Sequence, residues 1–598
     1  MIGRARSASL LALLAVVCVT AAISVRGLWS GTNGEGWKET IRSDAKGYYG
    51  YLQAIFIRHD LGEEDFVREY VNETPNGTLN KYFAGTSLMM APWFGIGHAF
   101  ALNDDGVPQN GTSEYEQKAI SIGAWVYLLT GLLALRALFL GLGVRDALVA
   151  WAVTGLALGT PLLQYTALQP GWSHIYSFCA VSVFLLTVHH LAVGGSVRWA
   201  LASGLLFGLI VLIRPVNMMV LLAVPIVAGD QTKPAIERLL RHRWMLVGSV
   251  LLAASVVFIQ PLLWLAQTGR FIEWGYAGEG FYWTRPEVFK VLVGFRRGLF
   301  LYTPIMLLGA IGALWLWRVD RTRCMWSLIY WAVSTYVISS WWIWYYGGGF
   351  GSRAYVDHFP VLAIAMVLML HRVGPILWLA ARVFMALCIG LNLAQTWQYH
   401  HGFLHAECMD RERYAYSFLR FDDAHRNKLG GNYQEAPYHP NGMDVILTES
   451  CDLDNPCHYW SGWWVEHEKA FSNRMVCRFS AEANYGIGFR AGTDVLPTDR
   501  WLFLEVGLQR YDELPEGSLP ILGVTELINE KDSSYYYQSF PMNPVPGTPG
   551  VWEQVEYRIP VPPLSAGDRL YFYLWNQNYA GDCLIDDVFM RVSAVRPY

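Results

Sequence analysis

The chain has 598 residues, 53% of them hydrophobic and only 16% charged, too apolar a balance for a wholly soluble protein. Its formal net charge is −4 and it has no basic run of the kind that grips nucleic acid, so a nucleic-acid partner is not expected.

The opening MIGRARSASLLALLAVVCVTAAISVRG joins a basic flank to about nineteen mostly apolar residues, enough to span a bilayer. A cleaved signal peptide has the same look, with Ala21-Ala22 as a cleavage site, but the many spans that follow favour an uncleaved anchor. Residues 27–114 are long for a loop without structure. Two segments in them, AKGYYGYLQAIFIRHD (45–60) and NKYFAGTSLMMAPWFGIGHAF (80–100), have apolar faces at helical spacing and are expected to lie in the membrane interface. Further spans are expected near 115–141, 146–168, 173–193, 198–213, 216–229, 244–267, 298–317, 325–345, 355–371 and 375–396, about eleven with the first. Pro215 breaks the short pair 198–213 and 216–229, which also reads as one bent hairpin. After His400 no run is long enough to cross again.

Charge sets the orientation. With the N-terminus inside, the inner loops carry Arg4, Arg6, Arg145, Arg198, Lys233, Arg238, Arg241, Arg243, Arg318, Arg321, Arg323 and Arg372, the positive-inside pattern. Residues 27–114 and everything beyond 397 then face outward. Cys408, Cys451, Cys457, Cys477 and Cys583 fall in that outer part, where an oxidising compartment permits bridges. Cys451 and Cys457 are spaced to close a small loop, but five cysteines leave one over and the pairing cannot be read from spacing.

The period changes toward the C-terminus. Residues 401–440 are polar and His-rich and read as a linker. From 441 to 598 short alternating strands such as WLFLEVGL (501–508), VWEQVEYRIPV (551–561) and RLYFYLW (569–575) are separated by turns such as NPVPGTPG, which predicts an all-β sandwich.

Polar groups gather where the spans meet the outer surface. Asp44 stands at the foot of the first span, just ahead of Tyr48-Tyr49-Gly50-Tyr51; His174 and Arg214 sit at span junctions; Arg296 and Arg297 precede a span, and Tyr345, Tyr346 and Arg353 follow one. Ionisable groups at such depths are costly and are functional candidates by default. Arginines and a glycine-rich loop suit a lipid-linked phosphate, and a carboxylate can take the proton of a hydroxyl as that oxygen attacks a sugar carbon.

RSDAKGYYGYLQAIF, KYFAGTSLMMAPWF, QPGWSHIYSF, LIRPVNMMVLL, FRRGLFLYTP and GGGFGSRAYVDHFPVLA, in that order over roughly 30–400, resemble the GT-C superfamily of integral-membrane glycosyltransferases. The nearest groups are the polyprenyl-phosphate-mannose and protein O-mannosyltransferases and the aminoarabinose transferases. The resemblance implies a GT-C domain over 1–400 that takes sugar from a polyprenyl-phosphate donor. It implies Asp44 as the base; Ala45 replaces the second acid that many relatives carry there, which puts a paired-acid or metal-assisted variant in doubt. Arg353, Arg214, Arg296 and Arg297 are then candidates for the donor phosphate, and His174, Tyr48, Tyr345 and Tyr346 for substrate contacts. No active-site metal is expected; the acids of DLGEEDF, Asp60 to Asp65, read as a solvated loop. The C-terminal domain resembles jelly-roll carbohydrate-binding modules, whose structural calcium would fall to Asp586 or Asp587, and Trp460, Trp463, Trp464 and Tyr535 to Tyr537 are its loop aromatics.

Plainer readings compete. Asp44 also suits an N-cap of the following helix, and Trp341, Trp342, Trp344, Tyr345 and Tyr346 also suit an aromatic belt. The expected function is transfer of a sugar to an acceptor hydroxyl of a protein, lipid or glycan, on the outer side of a bacterial inner or plasma membrane. The rivals are a polytopic transporter and a membrane-anchored glycan-binding protein.

Overall fold

The computed structural model describes residues 7–31, 34–62, 70–74, 77–276, 279–439, 441–512, 521–545, 547–577 and 583–596. Glu63, Glu64 and Asp65 lie outside them.

The N-terminal two thirds are helical. Among the described residues six helices are long and apolar enough to cross a membrane: Ala8–Trp29, Glu114–Gly141, Ser173–Gly194, Arg243–Thr268, Arg353–Leu370 and Pro375–His400. Asp146–Leu158, Val197–Ile213 and Met306–Arg318 are shorter apolar helices. The expected count of about eleven spans is not confirmed, and three of the expected runs are broken beside a proline. The helix begun at Asp146 stops at Leu158, turns through Gly159-Thr160-Pro161 and resumes as Leu162–Ala167. Residues 216–229 form a 3₁₀ helix, Pro215–Ala223, and a short helix, Val224–Ala228, that carries Pro225 in its first turn. Leu299–Tyr302 and Met306–Trp315 are likewise separated at Thr303-Pro304. Proline lacks the N–H that would continue each ladder.

The segment 80–100 yields the helix Gly85–Ala101, which packs along Glu114–Gly141. Tyr127 donates to the Met89 carbonyl at 2.7 Å, and a Cβ on Gly97 would stand 2.5 Å from the Glu116 backbone. Glycine lets the two backbones meet that closely.

The basic loops share one end of the bundle. The Arg145 N–H donates to His371 Nδ1 at 3.4 Å, Arg238 packs on Gly195, and Arg323 donates to the Ile226 carbonyl at 3.0 Å. The opposite end collects the first turns of Asp44–Gln53 and Ser173–Gly194, the last turn of Val197–Ile213, and the 3₁₀ turn Arg353–His358.

Two strands lie in the first loop, β1 (Val71–Thr74) and β2 (Gly77–Asn80). The rest follow the membrane domain: β3 (Asn432–Tyr433), β4 (Met443–Cys451), β5 (Trp460–Ser461), β6 (Val465–Glu466), β7 (Met475–Phe479), β8 (Tyr485–Gly492), β9 (Leu502–Asp512), β10 (Leu522–Ile528), β11 (Ser534–Pro541), β12 (Trp552–Val561), β13 (Arg569–Trp575) and β14 (Cys583–Val595). They form two sheets, β11-β10-β13-β8-β5 and β3-β12-β9-β14-β7-β6, with β4 also paired to β14. In β9 Leu502, Leu504, Val506 and Leu508 face inward, as do Leu570, Phe572 and Leu574 in β13. This is the period-two pattern of a sandwich. The one bridge among the described residues is Cys451–Cys457, and Cys408, Cys477 and Cys583 are buried. Asp586 accepts the N–H groups of Phe471 at 2.9 Å, Ser472 at 3.1 Å and Asp587 at 2.8 Å, so it ties the 471–472 turn to β14.

The linker joins the two parts. It contains the helix Arg411–Ser417, and β3 adds to β12 in parallel. The Glu435 N–H donates to the Tyr345 hydroxyl at 3.1 Å, while its carboxylate accepts from Trp344 Nε1 at 2.9 Å.

Candidate active site

Asp44 is the first residue of its helix, and Ser43 before it has φ 54°, uncommon for a residue with a side chain. Its carboxylate does not cap that helix. Oδ2 accepts from Arg353 Nη1 at 2.7 Å, and Oδ1 accepts from the Tyr82 hydroxyl at 3.1 Å. Burial raises this carboxyl, but the Arg353 guanidinium outweighs it and holds Asp44 below the usual carboxylate range.

Arg353 is fixed from several sides. Its guanidinium lies 4.4 Å over the Trp172 ring, and it donates to the Tyr346 carbonyl. Tyr346 is itself left-handed at φ 60°, so backbone strain flanks the ion pair on both sides. The pair is only partly exposed, 10% for Arg353 and 18% for Asp44. Arg353 Nε is buried with no partner.

A second cluster adjoins this pair through Tyr48, whose hydroxyl donates to Ser173 Oγ at 3.3 Å and lies beside Arg214. Asp357 is its centre. It meets His174 Nδ1 at 3.0 Å, accepts from Asn217 Nδ2 at 2.8 Å, and lies 3.5 Å from Arg214 Nη1. His174 Nε2 is buried and unpartnered, and its ring lies 4.6 Å from that of Tyr165. The structure thus brings together Asp44, Tyr48, His174, Arg214, Tyr346 and Arg353 of the predicted residues. Asp357 and Tyr82 join them unforeseen. The signal for Asp357 was an acid inside an apolar run, AYVDHFPVLA, which should have been read as functional by default.

Arg296, Arg297 and Tyr345 lie at the linker. Arg296 stacks 3.3 Å over the Tyr345 ring and donates to the carbonyls of Glu407 at 2.7 Å and Tyr433 at 2.9 Å. Arg297 donates to the carbonyls of Gly347 at 3.0 Å and of Ala406. These guanidiniums hold the chain that follows the last span, with the Arg353 loop between them and Asp44. Among the described residues no group of three or more His, Cys, Asp or Glu is placed to hold a metal ion.

A cavity of about 1400 Å³ lies beside the pair, lined by Ser43 next to Asp44 and by Trp172, on which Arg353 packs, but not by Asp44 or Arg353 themselves. Its wall runs from Ser43, Trp172 and Gly349 past Glu407 to Tyr537 and Phe540 of β11. The linker keeps this wall in place through His405, whose Nδ1 accepts the N–H groups of Glu407 and Cys408, both at 2.9 Å. Its Nε2–H donates to the Gly431 carbonyl at 2.8 Å. This arrangement needs a neutral imidazole, and burial, with Arg413 nearby, pushes His405 down from 6.5 to about 3. A depressed folded value contributes stability above the unfolded one and loses it as pH falls. The full-length protein should therefore lose roughly 1.4 kcal/mol per pH unit below about 6.5 through this one group. Melting temperatures at pH 7.5 and 5.5 measure it: the drop should be smaller in His405→Gln, and an equal drop in both contradicts the clasp.

No protein-family model and no curated protein matches the chain. Among solved structures it is similar to the archaeal oligosaccharyltransferase AglB from Archaeoglobus fulgidus in complex with an inhibitory peptide and a dolichol-phosphate. That likeness has 14% identity and a TM-score of 0.37, over 71% of this chain and 62% of that one. The chain thus spans less than two thirds of the archaeal protein's length. It is also similar to ArnT from Cupriavidus metallidurans in the apo state, at 15% identity and a TM-score of 0.40 over 68% of each chain. The CBM22-1 xylan-binding domain from Paenibacillus barcinonensis matches 26% of this chain over 97% of its own length, at 16% identity and a TM-score of 0.18.

Proposed function

We propose that the chain is a GT-C-type membrane glycosyltransferase. It takes a sugar from a polyprenyl-phosphate donor and passes it to an acceptor hydroxyl on the outer face of a bacterial plasma membrane. One observation carries the reading: Asp44 and Arg353, 309 residues apart, meet as an ion pair with an orphaned guanidinium nitrogen, at the bundle end opposite the basic loops.

Each partner has a role. The acceptor oxygen bonds to the anomeric carbon of the sugar. The bond from that carbon to the phosphate oxygen breaks, and its electron pair leaves on the phosphate. The acceptor proton passes to the Asp44 carboxylate. Arg353, with Arg214 behind Tyr48, neutralises the leaving lipid phosphate, whose oxygens a planar guanidinium matches. Before the donor arrives, Arg353 weakens Asp44 as a base; a phosphate that draws Arg353 away restores it. His174, Tyr48 and Tyr346 line the sugar. The step needs no metal. The charged donor is made inside, so a separate protein must flip it.

A transporter would hold its ionisable groups near the bilayer midplane between repeated halves, and this site lies at one end of the bundle. A glycan receptor would need only one anchoring span. The test of function is label release: purified protein should free radiolabelled sugar from at least one polyprenyl-phosphate sugar, and label that stays on every lipid refutes the reading. Orientation is tested separately in intact cells. An impermeant thiol reagent should label Arg42→Cys, whose side chain is 72% exposed, and should not label Arg241→Cys. The reverse pattern overturns the outward site.

A further inference from the structure

Glu407 is a carboxylate to which the mechanism gives no task. It belongs to the linker, yet it lines the cavity with Gly348, Gly349, Trp172 and Tyr537. Its backbone is clamped on both sides, the N–H on His405 Nδ1 at 2.9 Å and the carbonyl by Arg296 Nε at 2.7 Å. Gln434 hydrogen-bonds the side chain, but Oε2 is buried and has no hydrogen-bond partner. Oε1 lies so near Gly348 that a Cβ there would stand 2.5 Å from it, so only glycine leaves the carboxylate its place. A buried acceptor left bare on a rigid mount calls for a donor that the chain itself does not supply.

The cavity narrows what that donor is. At about 1400 Å³ it exceeds the roughly 300–1,000 Å³ of small-molecule sites, so it suits a chain rather than a single sugar. Trp172 and Tyr537 stand on its wall. We propose that Glu407 Oε2 receives a hydroxyl of the acceptor, a chain of several sugars lying in this cavity, and so positions the attacking hydroxyl toward Asp44. The inference rests on the glycosyl-transfer reading and names the acceptor class for it. Burial holds the Glu407 carboxyl above the usual carboxylate value against the pull of Arg297, Arg296 and Arg353 and the hydrogen bond from Gln434.

Glu407 is a positioning residue, and its test reads where the sugar goes. Full-length protein is given undecaprenyl-phosphate sugars labelled in the sugar, with mannose, xylose and glucose tetrasaccharides as acceptors. Label reaching water and label reaching oligosaccharide are counted separately. Wild type should load at least one tetrasaccharide. Glu407→Gln should lower the ratio of transfer to release at least about tenfold, through a raised acceptor KM, as expected for losing one charge-assisted hydrogen bond. Gly348→Ala, which displaces the same carboxylate, should lower the ratio in the same direction. An unchanged ratio in both variants overturns the proposal, as does release and transfer falling in equal measure. So does a wild type that releases sugar but loads no tetrasaccharide. Sugar that never leaves any lipid is a different failure, that of the glycosyl-transfer reading itself.

Discussion

Asp44→Asn should turn over at least about a hundredfold more slowly than wild type, with near-normal expression and donor binding. The substitution keeps the side chain's size and an oxygen for Tyr82 and Arg353, but removes the proton acceptor. General-base contributions of about a hundred- to ten-thousandfold set the scale. The rival reading as a cap would cost only about 1 kcal/mol of stability and nothing in rate. The geometry already disfavours that reading, because both carboxylate oxygens are turned toward Tyr82 and Arg353. Removing one partner of a fully buried ion pair typically costs about 3–5 kcal/mol. This pair is partly exposed and Arg353 keeps Trp172 and the Tyr346 carbonyl, so the stability loss should fall well below that. A wild-type rate in a folded Asp44→Asn protein removes Asp44 from the chemistry.

Arg353→Ala should fail differently. Its partner in the reaction is the lipid phosphate, and hydrogen bonds to charged groups are worth about 1.5–3 kcal/mol. The donor KM should therefore rise roughly ten- to a hundredfold. Without the guanidinium, the largest pull against burial is gone and only the weaker pull of Lys81 and Arg214 is left, so the Asp44 carboxyl moves up. The acid limb of the pH–rate profile should move to higher pH with it. Arg353→Lys should restore the charge but neither the planar fork nor the contact with Trp172, and should fall between the two. Steady-state kinetics across pH separate these effects. An unchanged acid limb in Arg353→Ala contradicts the pairing of Asp44 with this residue, and an unchanged donor KM contradicts the phosphate role.

Much of this was legible before any coordinates. Apolar runs with clear flanks gave helix ends to within a residue or two, as at Glu114–Gly141 and Ser173–Gly194. Runs containing proline did not, because hydropathy averages over the break that one missing N–H makes at Pro161, Pro215 and Pro304. At the site, Asp44, Arg214 and Arg353 stood out as charges beside spans. Asp357 was marked only by standing in a mostly apolar run, and its partners, His174, Asn217 and Arg214, come from two distant segments. Glu407 carried no such mark: it lies in the polar, His-rich linker, where one more acid carries no signal. Arg296 and Arg297 looked like phosphate ligands from their position alone, and only the fold reveals the linker carbonyls they bond.

The most direct test of the central claim is a cryo-EM structure of the full-length protein with undecaprenyl phosphate, the leaving group of the reaction. The phosphate should lie within hydrogen-bond distance of the Arg353 guanidinium, the Asp44–Arg353 pair should be opened, and the lipid should leave sideways between helices. Phosphate bound elsewhere, with the 2.7 Å Asp44–Arg353 pair intact, would contradict the account.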